Sequence, residues 1–493
     1  MFDPPLLAAH SPETDRFIAS LPHQLQINGQ WCDSTSGKVF GTSDPATGEG
    51  LAQVADAGVE DIAQTVECAH SAYKSWSKQS PRTRSNLLRT AYELLVARSE
   101  DFAQLITLEM GKPLAESRGE VKYASEFVRW YSEEAVRITG TFRPAPEGTP
   151  HHLTMRQGVG ACLLVTPWNF PLAMITRKVA PAIAAGCSVV IKPAAETPLT
   201  ALFFTQILLE AGMPPGLVNV LPTSSASPLV AGMLADTRIR KLSFTGSTEV
   251  GRILLSSAAA NVQRTSMELG GNAPFLVFAD ADLEAAIDGA VVAKLRNGGE
   301  SCVAANRFLV ADEVAEEFAQ GLAARFEEQV LGNGMNPEST LGPLIDDRQR
   351  KKVIRLVEDA VAHGAQCLTG GAEVGASGYF YAPTVLENVA SHSPITEQEI
   401  FGPVAAIQRF SSEEEALTLA NSTNFGLVAF AYTRDLDRAL RVSEELETGM
   451  VGINRGIVSN AAAPFGGVKH SGIGREGGEA GIGEYLETKY VAL

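Results

Sequence analysis

Two short runs carry residue types suited to nucleophilic catalysis. Cys302 closes the run Asn297-Gly298-Gly299-Glu300-Ser301-Cys302, and Glu268 lies in Met267-Glu268-Leu269-Gly270-Gly271. A thiol on a glycine-loosened loop can form a covalent acyl intermediate. A carboxylate in an apolar stretch can deprotonate the water that releases it. Each residue also has a plainer reading. A lone cysteine is most often a small buried hydrophobe, and a lone glutamate a surface carboxylate. The pairing therefore has to be supported by the rest of the chain.

Further candidates stand at strand ends. Asn169 lies in Thr166-Pro167-Trp168-Asn169-Phe170-Pro171, fixed between two prolines. Its amide can donate a hydrogen bond without carrying charge, which suits an oxyanion hole; the alternative is a rigid turn around a buried tryptophan. Lys192 follows the apolar run 188–191 and precedes Pro193. At the carboxyl end of a parallel strand it would point into a ligand crevice, although most lysines are simply solvated. In Phe244-Thr245-Gly246-Ser247-Thr248-Glu249-Val250-Gly251, a strand passes through Gly-Ser into a helix. The free N–H groups of such a start attract phosphate. The run is not a GxGxxG fingerprint, and a plain capped turn is the commoner outcome. Arg296, six residues before Cys302, could bind an anion or cap a helix C-terminus. The eight histidines lack metal-ligand spacing, with His151-His152 adjacent rather than four apart, so no metal is assigned.

The elements that would position these residues follow from hydrophobic periodicity. Ile27-Asn28-Gly29-Gln30-Trp31 reads as a hairpin around Asn-Gly, and Asp44-Pro45-Ala46-Thr47-Gly48 as a turn. From Val59 to about Leu114 the pattern is helical, with Gly111 and Pro113 marking its end. Runs 161–165, 188–191, 218–221 and 242–244 read as short buried strands alternating with helices, one of them from Thr197-Pro198 to Gly212. A second series begins at 275–278, continues through a helix over 283–295 and returns to strand at 308–310. Alternation of this kind predicts an α/β fold with two doubly wound parallel layers and a boundary near Glu268. Residues 485–493 read as an edge strand able to pair with another chain.

With 493 residues, 45% hydrophobic and 20% charged, the chain has the composition of a globular protein of two or three domains. The net charge of −17 argues against nucleic acid or an anionic membrane as the main partner. No uncharged apolar run reaches membrane-spanning length. Met1-Phe2-Asp3-Pro4-Pro5 lacks the features of a signal peptide, and the six cysteines form no CxxC pair. A cytoplasmic enzyme is the expectation.

In combination the motifs resemble those of the aldehyde dehydrogenase superfamily. The matching pieces are Pro167-Trp168-Asn169-Phe170-Pro171, Lys192-Pro193-Ala194, residues 244–251, 267–271 and 299–302, Glu399-Ile400-Phe401-Gly402-Pro403, and Pro464-Phe465-Gly466-Gly467-Val468-Lys469. They occur in family order across almost the whole chain. The resemblance implies Cys302 as nucleophile, Glu268 as deacylation base, and Asn169 with the Cys302 N–H as oxyanion hole. It implies a dinucleotide held by Thr166, Pro167, Trp168, Lys192, Ala195, Gly246, Ser247, Glu399 and Phe401. It further implies two Rossmann-like domains and a small β oligomerisation element: cofactor-binding at 1–137 and 154–267, catalytic at 268–470, oligomerisation at 138–153 and 471–493, in a homodimer or homotetramer.

Met174-Ile175-Thr176-Arg177-Lys178, Lys294-Leu295-Arg296-Asn297 and Gly449-Met450-Val451-Gly452-Ile453-Asn454 are most similar to the succinate-semialdehyde dehydrogenases. There Arg177 and Arg296, helped by Ser459, would grip the distal carboxylate of a small anionic aldehyde and favour the Cys302 thiolate. The expected reaction is NAD(P)-dependent oxidation of succinate semialdehyde to succinate, with glutarate semialdehyde or another ω-carboxy aldehyde as alternative. Rivals of another class are a cysteine thioesterase or amidase and a non-catalytic scaffold. Three positions depart from the pattern. Glu300 replaces a family Gln; Ala304 replaces a second cysteine, so no disulfide with a near neighbour is expected; and Ala195 replaces an acid that bonds the cofactor ribose. Without that acid the 2′-phosphate of NADP meets less repulsion, so NADP is favoured, with NAD possible.

Overall fold

The computed structural model describes residues 11–493; the Met1–Pro5 stretch read above for a signal segment lies outside the described residues. Two large sheets organise the chain. The first has eight strands, ordered Gln30–Cys32, Leu25–Ile27, Val218–Val220, Ser188–Lys192, Ala161–Val165, Ile239–Thr245, Arg264–Glu268 and Gly472–Ile473. Its five central strands are parallel. Across the sheet they come third, second, first, fourth and fifth in chain order, so the winding reverses between Ala161–Val165 and Ile239–Thr245. A crevice opens at such a reversal, outside the carboxyl ends of the strands.

The second sheet has seven strands: Gln366–Thr369, Thr384–Glu387, Val404–Phe410, Ala305–Ala311, Ala273–Val277, Val428–Tyr432 and Met450–Ile453. All pairs are parallel except the first. Strands Ala161–Val165, Ser188–Lys192, Ala273–Val277 and Ala305–Ala311 are buried along their whole length, because helices cover both faces. Their β-branched and aliphatic runs are what a doubly covered sheet requires. The helix Ala173–Ala185 is buried all round, and its interior Arg177 and Lys178 are both paired with Glu476.

The helical region beyond Val59 is longer than its periodicity suggests. It contains Ile62–Trp76, Pro81–Ala97 and Ser99–Met110, and then a further helix, Leu114–Glu134. Gly111 closes the third helix with a left-handed φ of 90°. Pro113 does not end the region. It caps the start of Leu114–Glu134, a place where proline's missing N–H costs nothing. That helix buries Val121, Ala124, Phe127, Val128 and Tyr131.

A third sheet is antiparallel, ordered Leu486–Ala492, His151–Gly158 and Thr141–Pro144. The C-terminal strand pairs within its own chain along Leu486–Ala492 and is an edge. Most of this sheet is solvent-exposed, Phe142 and Tyr490 included. No helix among the described residues is long and apolar enough to cross a membrane.

Candidate active site

The turn after Ala161–Val165 carries Thr166 to Asn169, and the turn after Ile239–Thr245 carries Gly246 and Ser247. These are the two strands that flank the winding reversal, so both turns face one crevice. Asn169 is buried and held on several sides. Its carbonyl accepts from Lys112 Nζ (2.7 Å) and Asn297 Nδ2 (3.0 Å), and its own Nδ2 donates to the Glu300 carbonyl (3.0 Å). An amide nitrogen has two hydrogens, so one donor remains free; Asn169 Oδ1 has no partner. Lys112 is paired with Glu120 at 2.6 Å, both fully buried. The other Glu120 oxygen accepts from the N–H groups of Leu172 and Ala173, at the start of helix Ala173–Ala185.

Cys302 approaches from the opposite sheet, three residues before strand Ala305–Ala311. Asn297, Gly298 and Gly299 take left-handed φ values of 58°, 62° and 75°, folding the preceding loop tightly. A Cβ on Gly299 would lie 2.2 Å from the Gly402 carbonyl, and one on Gly271 2.4 Å from the Cys302 carbonyl. Glycine is therefore required at both places for the thiol loop to lie against its neighbours.

Cys302 lines two cavities at once. On one side is a cleft of about 700 Å³, walled by Pro167, Trp168 and Asn169, by Gly246 and Ser247, and by Glu399 and Phe401. On the other is a narrow pocket lined by Arg177, Arg296, Ser459, Tyr123 and Phe170. Arg296, Ser459, Tyr123 and Phe170 also border an outer vestibule of about 990 Å³.

Charge is unevenly distributed around the thiol. Burial pushes the Cys302 thiol up to about 12; Arg177 opposes this, and Glu399 and Glu268 add to it. Arg177 does favour the thiolate, as expected, but burial and the two carboxylates outweigh it. Burial, then Glu476, raises the Glu268 carboxyl well above the usual range, against Arg177, Lys178 and Arg475. Arg177 is fully buried, ion-paired with Glu476 and stacked 4.6 Å over Phe465; its Nη2 has no hydrogen-bond partner. Lys178 pairs with the same Glu476. Arg296 makes no ion pair among the described residues and lies 4.9 Å over the Phe170 ring, leaving its donors available.

The cleft suits a dinucleotide. Helix Thr248–Ala259 begins there; Ser247 Oγ accepts from Val250 N (3.3 Å), and the Thr248 and Glu249 amides have no intrahelical partners. Thr245 Oγ1 is buried, without a partner, and lines the cleft. The Glu399 carboxylate accepts from Gly271 N (3.1 Å), and Trp168 meets Phe401 edge-on at 5.4 Å. Of the residues singled out in the sequence, Pro167, Trp168, Asn169, Gly246, Ser247, Cys302, Glu399 and Phe401 line this cleft. Arg177, Arg296 and Ser459 line the inner pocket. Thr166, Lys192, Ala195 and Glu268 line neither. Lys192 is buried at the end of its strand, and its carbonyl accepts from Thr166 N (3.2 Å). Glu268 Oε2 is buried without a partner, and Oε1 packs beside Gly466.

Sequence reasoning missed Lys352 and Gln349, which line the cleft from helix Asp347–Ala362. It also missed Lys112 and Glu120. Lys112 lies in the break between helices Ser99–Met110 and Leu114–Glu134 and Glu120 lies on the second of them, and only packing reveals that the pair is buried. No cluster of three or more His, Cys, Asp or Glu side chains placed to hold a metal occurs among the described residues.

Comparison with known proteins bears on the same geometry. The profile described as "Aldehyde dehydrogenase family" matches residues 31–491. Succinate-semialdehyde dehydrogenase of Paenarthrobacter nicotinovorans is 56% identical over 90% of this chain and 98% of its own. Glutarate-semialdehyde dehydrogenase of Pseudomonas putida is 45% identical over 95% of this chain and 97% of its own. A crystal structure of an Escherichia coli NADP-dependent enzyme superposes with a TM-score of 0.95 at 43% identity, covering 96% of this chain and 98% of the other.

Proposed function

The chain belongs to the aldehyde dehydrogenase family, and from that premise we propose that it oxidises succinate semialdehyde to succinate with NADP as favoured hydride acceptor. The observation that carries this reading is the position of Cys302, whose side chain borders both the cleft suited to a dinucleotide and the pocket lined by two arginines.

In the proposed mechanism the substrate carboxylate lies against Arg296, with Arg177 and Ser459 alongside, and the aldehyde carbon faces Cys302. Charge-assisted and bidentate contacts of this kind select an aldehyde that carries its own negative charge. Cys302 passes its proton to water as it attacks, and Arg177, the cation that already pulls the thiol downward, stabilises the developing charge. The free N–H of Asn169 Nδ2 and the Cys302 backbone N–H receive the oxyanion. A nicotinamide bound in the cleft supplies the hydride acceptor. A thioester then remains on Cys302, and Glu268 takes a proton from the water that hydrolyses it. Burial and Glu476 raise the proton affinity of Glu268, which strengthens it as a base. In this pose Glu268 has to swing from beside Gly466 to reach the thioester.

The dinucleotide would rest on Thr166, Pro167, Trp168, Lys192, Ala195, Gly246, Ser247, Glu399 and Phe401. The leaning to NADP rests on Ala195, where no carboxylate opposes a 2′-phosphate, and on Glu196, whose charge faces Arg348 at 3.7 Å. Division into a cofactor part (1–137 and 154–267), a catalytic part (268–470) and an oligomerisation element (138–153 and 471–493) belongs to the same proposal. A homodimer or homotetramer would cover the exposed three-stranded sheet. Six unbridged cysteines suit the cytoplasm.

A panel of succinate semialdehyde, glutarate semialdehyde and an uncharged aldehyde of similar length, each with NADP and NAD, tests the reading. Reduced-nicotinamide absorbance should be strongest with succinate semialdehyde and NADP. A pocket distinguishes one methylene by only about 10–200-fold, so glutarate semialdehyde should still react. Absence of absorbance with every aldehyde would overturn the activity. A much higher kcat/KM with NAD would overturn the cofactor preference.

A further inference from the structure

Glu300 stands two residues before the nucleophile and is fully buried, yet none of its contacts is to a cation. Its backbone carbonyl accepts from Asn169 Nδ2 (3.0 Å) and Asn297 Nδ2 (2.9 Å). Its Oε1 accepts from Ile345 N at 3.1 Å, and its Oε2 has no partner. Ile345 lies just before Asp346, which caps helix Asp347–Ala362 by accepting from Gln349 N (2.7 Å). That helix carries Gln349 and Lys352 into the cleft. Gln349 Nε2 also donates to the carbonyls of Phe401 (2.6 Å) and Ile400 (3.2 Å). Glu300 thus joins three parts: the thiol loop, the Asn169 amide and the helix that walls the cleft.

The surroundings disfavour a charge there. Among the groups acting on Glu300, Asp346 is of like sign, and Lys112 is already engaged by Glu120 and the Asn169 carbonyl. Burial raises the carboxyl well above its usual range. A buried carboxylate with a single N–H donor and no counter-ion is costly; a neutral acid is the same shape as an amide and leaves the link intact.

We propose that Glu300 is a positioning residue that works as an uncharged carboxylic acid, tying the thiol loop to the helix of the cofactor cleft, and that loss of its proton in alkali disables turnover. This rests on the dehydrogenase reading above, and the two can fail separately.

The experiment records kcat/KM with succinate semialdehyde and NADP from pH 7 to pH 10 for the wild type, Glu300→Gln and Asp346→Asn. Titrations of Cys302 and of the substrate are common to all three and cancel in the comparison. Once Glu300 ionises, wild-type activity should fall by about tenfold per pH unit beyond the fall seen in Glu300→Gln, whose neutral amide cannot ionise. Asp346→Asn keeps the helix cap and removes the like charge, so its alkaline fall should begin at lower pH than in the wild type. Should Glu300→Gln fail to fold, the Asp346→Asn displacement decides. Superimposable profiles for the folded variants and the wild type would overturn the inference while leaving the activity standing. Inactivity of the wild type at every pH would instead overturn the dehydrogenase reading on which the inference rests.

Discussion

Lys112→Met probes how the oxyanion donor is held. The Lys112–Glu120 pair is fully buried at 2.6 Å, with the ammonium also 2.7 Å from the Asn169 carbonyl and 4.1 Å above the Phe170 ring. Removing the lysine strands the Glu120 carboxylate without its counter-ion. Breaking a buried pair from one side typically costs about 3–5 kcal/mol, against a whole-protein stability of about 5–15 kcal/mol. Catalysis should suffer less than if the donor were deleted. Asn169 keeps Asn297 Nδ2 at 3.0 Å, so its amide is loosened rather than lost. Loss of an oxyanion donor lowers kcat by about 10²–10³-fold, and Lys112→Met should fall short of that, near tenfold. The double variant Lys112→Met, Glu120→Gln buries no charge and keeps an acceptor for the N–H groups of Leu172 and Ala173. It should recover most of the stability. Urea midpoints and steady-state kcat for the three proteins provide the readout. A single variant within about 1 kcal/mol of wild type, or a double variant no more stable than the single, would refute the reasoning.

Other consequences can be measured on the same preparation. Glu268→Gln should give a rapid burst of reduced cofactor followed by slow turnover; an unchanged steady-state rate would remove Glu268 as the base. Arg296→Leu should raise KM for succinate semialdehyde by about 10–150-fold, the value of one charged hydrogen bond of about 1.5–3 kcal/mol, and leave an uncharged aldehyde of similar length little affected. Equal effects on both aldehydes would exclude Arg296 as the anchor. Because burial pushes the Cys302 thiol up to about 12, it is protonated throughout the neutral range in the protein alone. Its alkylation by iodoacetamide should therefore climb by about tenfold per pH unit to at least pH 10, following the thiolate fraction. A plateau below pH 8, read by mass spectrometry of the Cys302 peptide, would contradict this.

How much of this could be read from the letters depends on the kind of residue. Strand Ala161–Val165 and helix Leu283–Leu295 have their expected bounds, since a fully buried strand and a strongly apolar helix are set by local pattern alone. Helix Leu114–Glu134 was hidden by Gly111 and Pro113, which mark an end and a beginning only two residues apart. Cys302 and Asn169 were legible because glycine and proline around them signal unusual backbone, and such backbone is where ligands approach; Glu399 entered only through the family resemblance. Lys352 and Gln349 were not, because they sit on an ordinary amphipathic helix whose depth in the cleft is decided by tertiary packing. The balance at Cys302 was hidden for a related reason: sequence reveals the arginines, of which Arg177 does pull the thiol downward, but not the burial and the carboxylates that oppose it.

The central claim is that the sulfur of Cys302 becomes covalently acylated during turnover. The protein is mixed with succinate semialdehyde and NADP, quenched in acid within the first turnover, digested with pepsin and mapped by mass spectrometry. The account predicts a succinyl group on the peptide that contains Cys302, accumulating further in Glu268→Gln. Reduced cofactor formed with no acyl group on that peptide, or with the group on a different cysteine, would contradict it.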